Sequence, residues 1–529
     1  MEFNHADLFE GLADAIGGRT ALVCGERRRT YAELDAEANR LAHYLAGLGV
    51  GPGRHVGLQL YNGVEYAAGM LAALKLRAVP VNVNYRYVEA ELLHLYRDSD
   101  IVALLFDAEF AARVAAVAPQ APTLAHLVSV GGAAEGAVPY EEAVAGSSDG
   151  RGFPERSGQD VYIIYTGGTT GLPKGAMWHV EDLFMAFGGG NPYGEPRATP
   201  QEVIDAAAEA APVTMMAAPP LMHGAAQMAT FIAWWMGATI VYVRRFTADA
   251  VWRAVERERV LTLSITGDAM ARPLAEALET AVYDLSSLAA ISSTGAILTG
   301  SVRERLQERL PNTMILDNFG STESGFTASG VAGSSPESGL RYQPNASARL
   351  AVLDERLRPV AAGQIGTVAK SGRVAFGYYN DPVKTASTFV TAADGTKWLL
   401  TGDLASVGPD GTVNVFGRGS QCINTGGEKV FPEEVEAVLK GHPAVFDAVV
   451  TGIDDERWGS RVAAVVEVRP GASAGIAALD VHCRARLSGF KVPRTYAFVD
   501  ELIRSPAGKA DYRWARETAS GPLGRDTGL

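Results

Sequence analysis

The chain has 529 residues, of which 47% are hydrophobic and 20% charged, and its 47 basic and 60 acidic side chains give a net charge of −13. This composition is typical of a folded globular protein and excludes a disordered chain, a collagen and a disulfide-stapled secreted module. The acidic balance counts against non-specific binding of nucleic acid or of an anionic membrane, since both need basic patches. The sparse cysteines (Cys24, Cys422 and Cys483) and the absence of a basic signal-peptide start predict a cytoplasmic location.

Helix and strand patterns alternate along the first part of the chain. Ala32–Leu48 has apolar residues at helical spacing, and His55–Leu60 and Val79–Val83 favour strands on either side of a helix at Glu65–Leu76. Ile101–Phe106 is an almost wholly apolar run, typical of a parallel strand covered on both faces. The alternation predicts an α/β fold with parallel sheets flanked by helices.

The middle of the chain contains the longest apolar stretch and two irregular ones. Met228–Val243 falls short of the roughly 20 residues that a membrane-spanning helix needs, so we expect a buried helix followed by a strand. Gly188–Pro200 and Gly330–Pro344 are rich in glycine with proline or serine, and we expect loops there.

The sequence pattern changes after Arg418, where the helix and strand patterns become shorter and more charged and predict a small α+β domain. We therefore expect a large, multi-layer α/β domain over residues 1–417 and a small mobile domain over residues 418–529. The hinge is expected near Ser420, and residues 519–529 are expected to be a frayed tail.

The strongest local signal is the run YTGGTTGLPKG at residues 165–175, which follows an apolar strand at Val161–Tyr165. Glycines let backbone amides approach a polyphosphate closely, hydroxyls donate to its oxygens and an ammonium offsets its charge. The spacing is not that of a Walker A loop, and Pro173 precedes the lysine, which excludes a P-loop ATPase. The run therefore predicts a polyphosphate site of another kind.

This run resembles the phosphate-binding signature of the adenylate-forming superfamily, which includes acyl-CoA synthetases, luciferases and stand-alone adenylation domains. Further signatures of that family follow in the expected order. They are NFGSTES at Asn318–Ser324, TGD at Thr401–Asp403, GRGSQCINTGGEKVFPEEVE at Gly417–Glu436 and SPAGKADYR at Ser505–Arg513. The resemblance covers nearly the whole chain.

The resemblance implies a reaction in two steps. A carboxylate first attacks the α-phosphorus of ATP and expels pyrophosphate, and the acyl adenylate then passes its acyl group to coenzyme A. Cations and donors aimed at the phosphates are the main requirement of the first step. The residues that the resemblance assigns to ATP or AMP are Thr166, Gly167, Gly168, Thr169, Thr170, Lys174, Gly295, Ala296, Asn318, Phe319, Gly320, Ser321, Asp403, Val415 and Arg418.

Four residues are implied to take part in the chemistry. Glu323 is expected to bind Mg²⁺, since this ion prefers one or two carboxylates together with phosphate oxygens and water. Thr322 is expected to contact the α-phosphate, and Lys509 to reach the substrate carboxylate and the α-phosphate when the small domain closes. His223 lies where the family has a gate beside the adenylate, with a satisfied core histidine as the alternative.

The coenzyme A step has weaker signals. Gly426 and Gly427 would let the thiol arm pass close to the backbone, and Lys429, Lys491 and Arg494 are candidate partners of its phosphates. The resemblance implies that the small domain rotates between two poses for the two steps.

Three positions depart from the family pattern. Phe319 replaces the usual tyrosine and keeps a ring that can stack on adenine. Ser420 replaces the common charged hinge residue, and Asn424 stands where many members have a lysine. The last two departures bear on the second step and leave the ATP-binding set unchanged.

The substrate class is narrowed by strings such as MHGAAQ and TGDAMARP, which resemble actinobacterial CoA ligases for fatty acids or steroid side chains. We therefore expect a bulky hydrophobic or aromatic acid in a pocket formed by Met215–Phe231 and Ile315–Phe326. Two alternatives keep the ATP step: an aryl-acid activator, and an enzyme that activates nitrite for transfer to an arylamine. A non-catalytic binding protein is a further alternative, and the intact charged residues of the motifs argue against it. The expected partners are the acid, ATP and coenzyme A, and a homodimer is left open.

Overall fold

The computed structural model describes residues 2–167, 172–192, 194–330, 340–345, 349–425, 428–455, 458–504 and 509–527. The helices of the described residues are α1 (His5–Ile16), α2 (Tyr31–Gly47), α3 (Val64–Lys75), α4 (Glu89–Asp98), α5 (Ala111–Val117), α6 (Tyr140–Ala145), α7 (Val180–Ala186), α8 (Pro200–Glu209), α9 (Gly224–Trp235), α10 (Ala248–Glu258), α11 (Gly267–Thr280), α12 (Gly300–Arg309), α13 (Pro382–Thr388), α14 (Pro432–Lys440), α15 (Ile476–Arg484) and α16 (Tyr512–Ser520).

The strands in the same part of the chain are β1 (Thr20–Cys24), β2 (Arg27–Thr30), β3 (His55–Gln59), β4 (Val79–Asn82), β5 (Ile101–Asp107), β6 (His126–Val130), β7 (Val138–Pro139), β8 (Val161–Thr166), β9 (Lys174–His179), β10 (Thr214–Ala217), β11 (Thr239–Tyr242), β12 (Thr262–Ile265), β13 (Ala290–Thr294), β14 (Met314–Ser321), β15 (Gly325–Gly330), β16 (Leu340–Pro344), β17 (Arg349–Leu353), β18 (Ile365–Ser371), β19 (Gly377–Tyr378), β20 (Phe389–Thr391), β21 (Lys397–Val407), β22 (Val413–Arg418), β23 (Ile423–Thr425), β24 (Glu428–Val430), β25 (Val445–Asp455), β26 (Gly459–Val468), β27 (Thr495–Val499) and β28 (Gly524–Asp526).

The predicted helices and strands of the first part of the chain are found, with ends that shift by at most one residue. Helix α2 begins where Thr30 and Glu33 form a capping box, in which the Glu33 N–H donates to Thr30 Oγ1 at 3.2 Å. The long apolar stretch forms the buried helix α9 followed by strand β11, as expected. In the described residues no helix is long and apolar enough to cross a membrane.

Two large sheets carry the first part of the chain. The smaller has the strand order β19-β9-β8-β4-β3-β5-β6-β7, and the larger runs from β2 and β1 through β11, β10, β12, β13 and β14 to β17. The largest hydrophobic core lies between them and includes α1, α2, α3 and α9. These sheets and their covering helices confirm the α/β class of the large domain.

The expectation of parallel sheets is correct for only part of each large sheet. In the smaller sheet β9 pairs antiparallel with both β8 and β19, and the larger sheet is mixed as well. Strands β1, β11, β10, β12, β13 and β14 are parallel, whereas β14, β15, β16, β22, β21, β18 and β17 pair antiparallel. The reason is the connection between β14 and β15, which is a tight turn at residues 322–324, and a turn of this length joins only antiparallel strands.

One of the two irregular stretches is a loop as expected. Gly188–Pro200 connects α7 to α8. The second stretch, Gly330–Pro344, is not a loop at its C-terminal end, because Leu340–Pro344 forms strand β16, which pairs with β22. Residues 331–339 lie outside the described part of the chain. The partner strand comes from a distant segment, so the local composition gave no sign of it.

The C-terminal part carries its own sheet, in the order β25-β26-β27-β28, covered by α14, α15 and α16. The prediction of a frayed tail from residue 519 is wrong for the described residues. Ala519 is buried in α16, and strand β28 pairs with β27 through Ala497 and Gly524. Pairing with a strand that is distant in sequence orders a segment that has little hydrophobic pattern of its own.

Candidate active site

A cavity of about 1960 Å³ lies where the two large sheets meet the C-terminal segment around Lys509. The described residues that the sequence assigned to ATP or to chemistry all line it. They are Thr166, Gly167, Lys174, His223, Gly295, Ala296, Asn318, Phe319, Gly320, Ser321, Thr322, Glu323, Asp403, Val415, Arg418 and Lys509. Gly168, Thr169 and Thr170 lie outside the described residues. Side chains from motifs more than 300 residues apart thus share one cavity.

The phosphate-loop motif closes a hairpin between β8 and β9. These strands pair antiparallel with Thr166 opposite Lys174, so a hydroxyl and an ammonium lie at the same end of the hairpin. Lys174 Nζ lies 2.5 Å from Asp381 Oδ2, and His94 Nε2 lies 3.2 Å from the carbonyl oxygen of Pro173. The loop is therefore held from outside by α4 and by the residue that precedes α13.

The NFGSTES motif forms the tight turn between β14 and β15. The Ser321 N–H donates to Ser324 Oγ at 2.9 Å, and the Ser324 N–H donates to Ser321 Oγ at 3.1 Å. The indole of Trp178 donates to the carbonyl oxygen of Thr322 at 2.8 Å. These bonds fix the backbone on both sides of Glu323.

Glu323 is held by the segment that follows β18. The Tyr378 hydroxyl donates to Glu323 Oε1 at 2.8 Å, and the Ala375 N–H donates to the Glu323 carbonyl at 2.9 Å. Burial and the Glu323 charge both raise the pKa of Tyr378, which stays a neutral donor. A single oriented carboxylate that faces a cavity with phosphate-binding donors fits Mg²⁺, because this ion takes most of its other ligands from phosphate and water.

Three charged side chains, those of Asp403, Arg418 and Lys509, meet where the middle of β21 pairs with the end of β22. Asp403 and Arg418 are register partners, and Arg418 Nε lies 3.2 Å from Asp403 Oδ1. Burial raises the pKa of Asp403, and the Arg418 charge opposes that rise. Burial lowers the pKa of Lys509, as does Arg418, whereas Glu323 and Asp403 act in the opposite direction. Two cations, Arg418 and Lys509, therefore lie close to two carboxylates, Asp403 and Glu323.

His223 precedes helix α9 and lines the cavity, and its role as a gate stays a prediction. Burial lowers its pKa to about 4, with Arg86 and Lys509 acting in the same direction, so the imidazole is neutral near pH 7. The buried Asn82 fixes the preceding backbone, because its amide donates to Met222 O at 2.6 Å and to Tyr165 O at 2.8 Å.

The expected adenine slot is lined by backbone and flat rings. Gly295 has φ +79°, a left-handed conformation that glycine adopts without strain. Asn318 donates to Ser292 Oγ at 2.8 Å, and the rings of Phe319 and Tyr342 lie 5.3 Å apart. The slot is therefore bordered by two aromatic rings and by one polar side chain, that of Asn318.

One part of the cavity wall is mainly apolar. It draws on the Gly188–Pro200 loop, on α9 and on the strands β10 and β14, in agreement with the expected acyl pocket. Its apolar members include Met185, Phe187, Met215, Met228, Ile232 and Phe326.

The two coenzyme A candidates whose side chains the structure describes, Lys491 and Arg494, are not brought to this cavity. Gly426, Gly427 and the Lys429 side chain lie outside the described part of the chain. Lys491 Nζ lies 2.6 Å from Glu434 Oε1, and the Arg494 guanidinium lies 5.8 Å from the ring centroid of Trp458. Neither basic residue is among those that line the cavity.

Sequence reasoning missed the segment that supports the motifs. Lys370, Tyr378 and Asp381 contact the turn or the phosphate loop, and none belongs to a motif that we used. The GYYNDP string at residues 377–382 was the available signal, because an Asp-Pro pair often starts a helix and places a carboxylate at its end.

Comparison with known proteins agrees with this geometry. The AMP-binding enzyme family matches residues 9–379, and the AMP-binding enzyme C-terminal domain matches residues 434–509. A medium/long-chain-fatty-acid–CoA/3-oxocholest-4-en-26-oate–CoA ligase of Mycobacterium marinum is 46% identical, with 98% of this chain and 96% of the relative covered. A 3-oxocholest-4-en-26-oate–CoA ligase of Rhodococcus rhodochrous is 43% identical with the same coverage.

Solved structures agree as well. The anthranilate CoA ligase AuaEII, in complex with anthranoyl-AMP, matches with a TM-score of 0.86 and 26% identity, and 98% of each chain is covered. These matches confirm the resemblance that the five motifs carry. The chain belongs to the AMP-binding enzyme family.

Proposed function

We propose that this enzyme is an ATP-dependent acid–CoA ligase that activates a bulky hydrophobic carboxylic acid. The observation that carries the proposal is the convergence of Lys174, Glu323, Asp403, Arg418 and Lys509 on one cavity that also has an apolar stretch of wall. Such a site can hold a polyphosphate at its charged end and a hydrophobic acid at the other.

The first step joins two anions. An oxygen of the substrate carboxylate attacks the α-phosphorus of ATP, a mixed anhydride forms, and the bond to pyrophosphate breaks. Lys509 would offset the charge that builds on the carboxylate and α-phosphate, while Lys174 and Thr166 would hold the departing phosphates. Asp403 would accept hydrogen bonds from the ribose hydroxyls.

Mg²⁺ would be held by Glu323, and it would supply charge neutralisation on the phosphates. The Tyr378 hydroxyl orients this carboxylate. His223, neutral near pH 7, would border the reacting carboxylate without adding a charge.

The second step breaks the anhydride. The thiol sulfur of coenzyme A attacks the acyl carbonyl, AMP leaves with the bonding electrons, and the thiol proton passes to solvent. We propose that the chain divides into residues 1–417 and 418–529 and that the second part moves between the steps. The roles of Gly426, Gly427 and Lys429 stay predictions, as do a homodimer and a cytoplasmic location.

Two observations support a bulky hydrophobic acid as the substrate. The relatives at 46% and 43% identity are ligases for medium- and long-chain fatty acids or for 3-oxocholest-4-en-26-oate. The apolar stretch of the cavity wall, which includes Met185, Met215 and Phe326, is also suited to a hydrophobic acid. An aryl acid remains the second candidate, supported by the structural likeness to an anthranilate CoA ligase.

The test is pyrophosphate release with Mg-ATP across a panel of long-chain acids, steroid side-chain acids, aryl acids and nitrite, each with and without coenzyme A. We expect release with a bulky hydrophobic acid and a CoA thioester in the mass spectrum. Pyrophosphate release with nitrite alone would contradict a carboxylic acid as the substrate. Release without any thioester would contradict coenzyme A as the acceptor.

A further inference from the structure

A buried lysine lies behind the turn that carries Thr322 and Glu323. Lys370, on strand β18, is only 4% exposed. Its ammonium donates to the Ser324 carbonyl at 2.5 Å and to the Phe326 carbonyl at 3.3 Å. The first acceptor belongs to the residue directly after Glu323, at the end of the connection from β14 to β15, and the second belongs to the second residue of β15.

The ammonium has only neutral acceptors in the part of the chain that the structure describes, where no carboxylate lies within 4.0 Å of it. Burial lowers its pKa to about 8, so the charged form still dominates near pH 7. A buried charge without a counter-ion destabilises a fold, and a methionine would fill the same volume without that cost. Packing alone therefore does not account for a lysine here.

The two acceptors determine the direction of the peptide groups in the turn. Gly325, between them, has φ +66°, a left-handed conformation that glycine adopts without strain. The bonds between Ser321 and Ser324 close the other side of the turn. Lys370 thus completes a set of contacts, with Ala375 and Tyr378, that holds residues 323–326 from the β18–β19 side.

We propose that Lys370 is a positioning residue for adenylation, whose ammonium holds the turn so that Thr322 and Glu323 face the α-phosphate and its metal. This role rests on the proposed function. Lys370 acts through the Ser324 and Phe326 carbonyls and does not touch the substrate. Without it, the Ser324 and Phe326 carbonyls lose this donor, and the turn can take orientations in which Glu323 no longer faces the cavity.

The test compares Lys370→Met, which removes the charge, with Lys370→Arg, which retains it. Lys397→Met, at an exposed position on β21, is the matched control. Three quantities are measured: kcat and KM for pyrophosphate release with dodecanoate or 3-oxocholest-4-en-26-oate, the Kd of Mg-ATP by calorimetry, and thermal unfolding.

For Lys370→Met we expect kcat to fall about 10- to 100-fold at saturating ATP, the range typical of losing a group that orients a ligand. The Mg²⁺ concentration for half-maximal rate should rise, and the Kd of Mg-ATP should weaken. Lys370→Arg should recover most of the kcat, and Lys397→Met should match the wild type. A lysine that only stabilises the fold would lower the unfolding temperature and leave kcat unchanged.

A folded Lys370→Met enzyme with wild-type kcat and Mg²⁺ dependence would overturn the proposal. If the Met variant does not fold, Lys370→Gln replaces it, since the glutamine side chain is neutral and one bond shorter than that of lysine. A folded Gln variant with wild-type kcat and Mg²⁺ dependence would then overturn the proposal. A wild-type enzyme that releases no pyrophosphate with any acid would instead contradict the proposed function, so the two failures are distinguishable.

Discussion

Lys174 Nζ lies 2.5 Å from Asp381 Oδ2, although the two residues are 207 positions apart in the chain. The lysine begins β9 at the end of the phosphate loop, and the aspartate caps α13 by accepting a hydrogen bond from the Lys384 N–H at 2.8 Å. The cation expected to bind the ATP phosphates is thus paired with a carboxylate of the protein. Asp381 and the triphosphate would compete for it.

Replacing Asp381 with asparagine should tighten ATP binding. The pair is partly exposed, with 40% and 28% of the two side chains accessible, so breaking it costs about 0.2–1 kcal/mol. Removing this competition should lower the Kd of Mg-ATP by up to about fivefold. Asparagine keeps the cap of α13, so stability should change little.

Isothermal titration calorimetry with Mg-ATP measures this effect, and Lys174→Met is the opposite control, expected to weaken binding. A weaker affinity in Asp381→Asn would mean that the aspartate supports the loop and does not compete for the lysine.

Lys509→Ala should separate the two half-reactions. The ammonium lies near Glu323, Asp403 and Arg418 at the charged end of the cavity. Losing one preorganised charge at a reacting phosphate costs about 10²- to 10³-fold in kcat, so pyrophosphate release should fall by that factor. Transfer to coenzyme A from a preformed acyl adenylate should stay close to the wild-type rate. Equal loss in both assays would exclude this role.

The pKa of Lys509 should also set the pH at which the adenylation rate declines on the alkaline side. Adenylation needs the charged form, and burial lowers the pKa of Lys509 below its usual value of 10.5. Activity should therefore decline, as pH rises, at a lower pH than an ordinary lysine would give. Rapid-quench measurements of adenylate formation across pH test this, and a flat profile up to the usual lysine range would contradict it.

Glu323→Gln should raise the Mg²⁺ requirement, because an amide is a far poorer ligand for this hard cation than a carboxylate. Tyr378→Phe should have a smaller effect in the same direction, since it removes only the bond that orients Glu323 Oε1. The measurement is the Mg²⁺ concentration that gives half-maximal pyrophosphate release. An unchanged Mg²⁺ titration in Glu323→Gln would remove this residue as a ligand.

Glu433→Gln should change how stability depends on pH. Glu433 Oε2 is buried without a hydrogen-bond partner among the described residues, and the carboxyl packs against Gly417. Burial, followed by the charge of Glu436, raises its pKa from 4.5 to about 8. The folded state therefore binds a proton that the unfolded state has released, and the free energy of unfolding falls as pH rises between these values.

The glutamine variant lacks this titration. Its Tm should exceed that of the wild type at about pH 8 and approach it at about pH 4.5. Differential scanning calorimetry at both values measures the difference, with Glu428→Gln, at an exposed site on β24, as the control. A Tm difference that is independent of pH would show that Glu433 titrates normally.

The sequence by itself determined the family, the α/β class and the membership of the site. Close approach of backbone to phosphate needs glycines and hydroxyls within a few neighbouring residues, so the motif around Thr166 and Lys174 is visible in the chain. The same holds for the turn at Thr322 and Glu323. The alternating helices and strands were visible as well, because their hydrophobic periods are local.

Tertiary structure alone decided what surrounds and holds these groups. The pairs Lys174–Asp381, Glu323–Tyr378 and Lys370–Ser324 join segments that lie 46 to 207 residues apart. Hydrogen bonds with partners distant in sequence also ordered β16 and β28, which composition alone had suggested were irregular. Local sequence records which side chains are available, but only the packed chain fixes which of them come within bonding distance, and hence the pKa of each buried group.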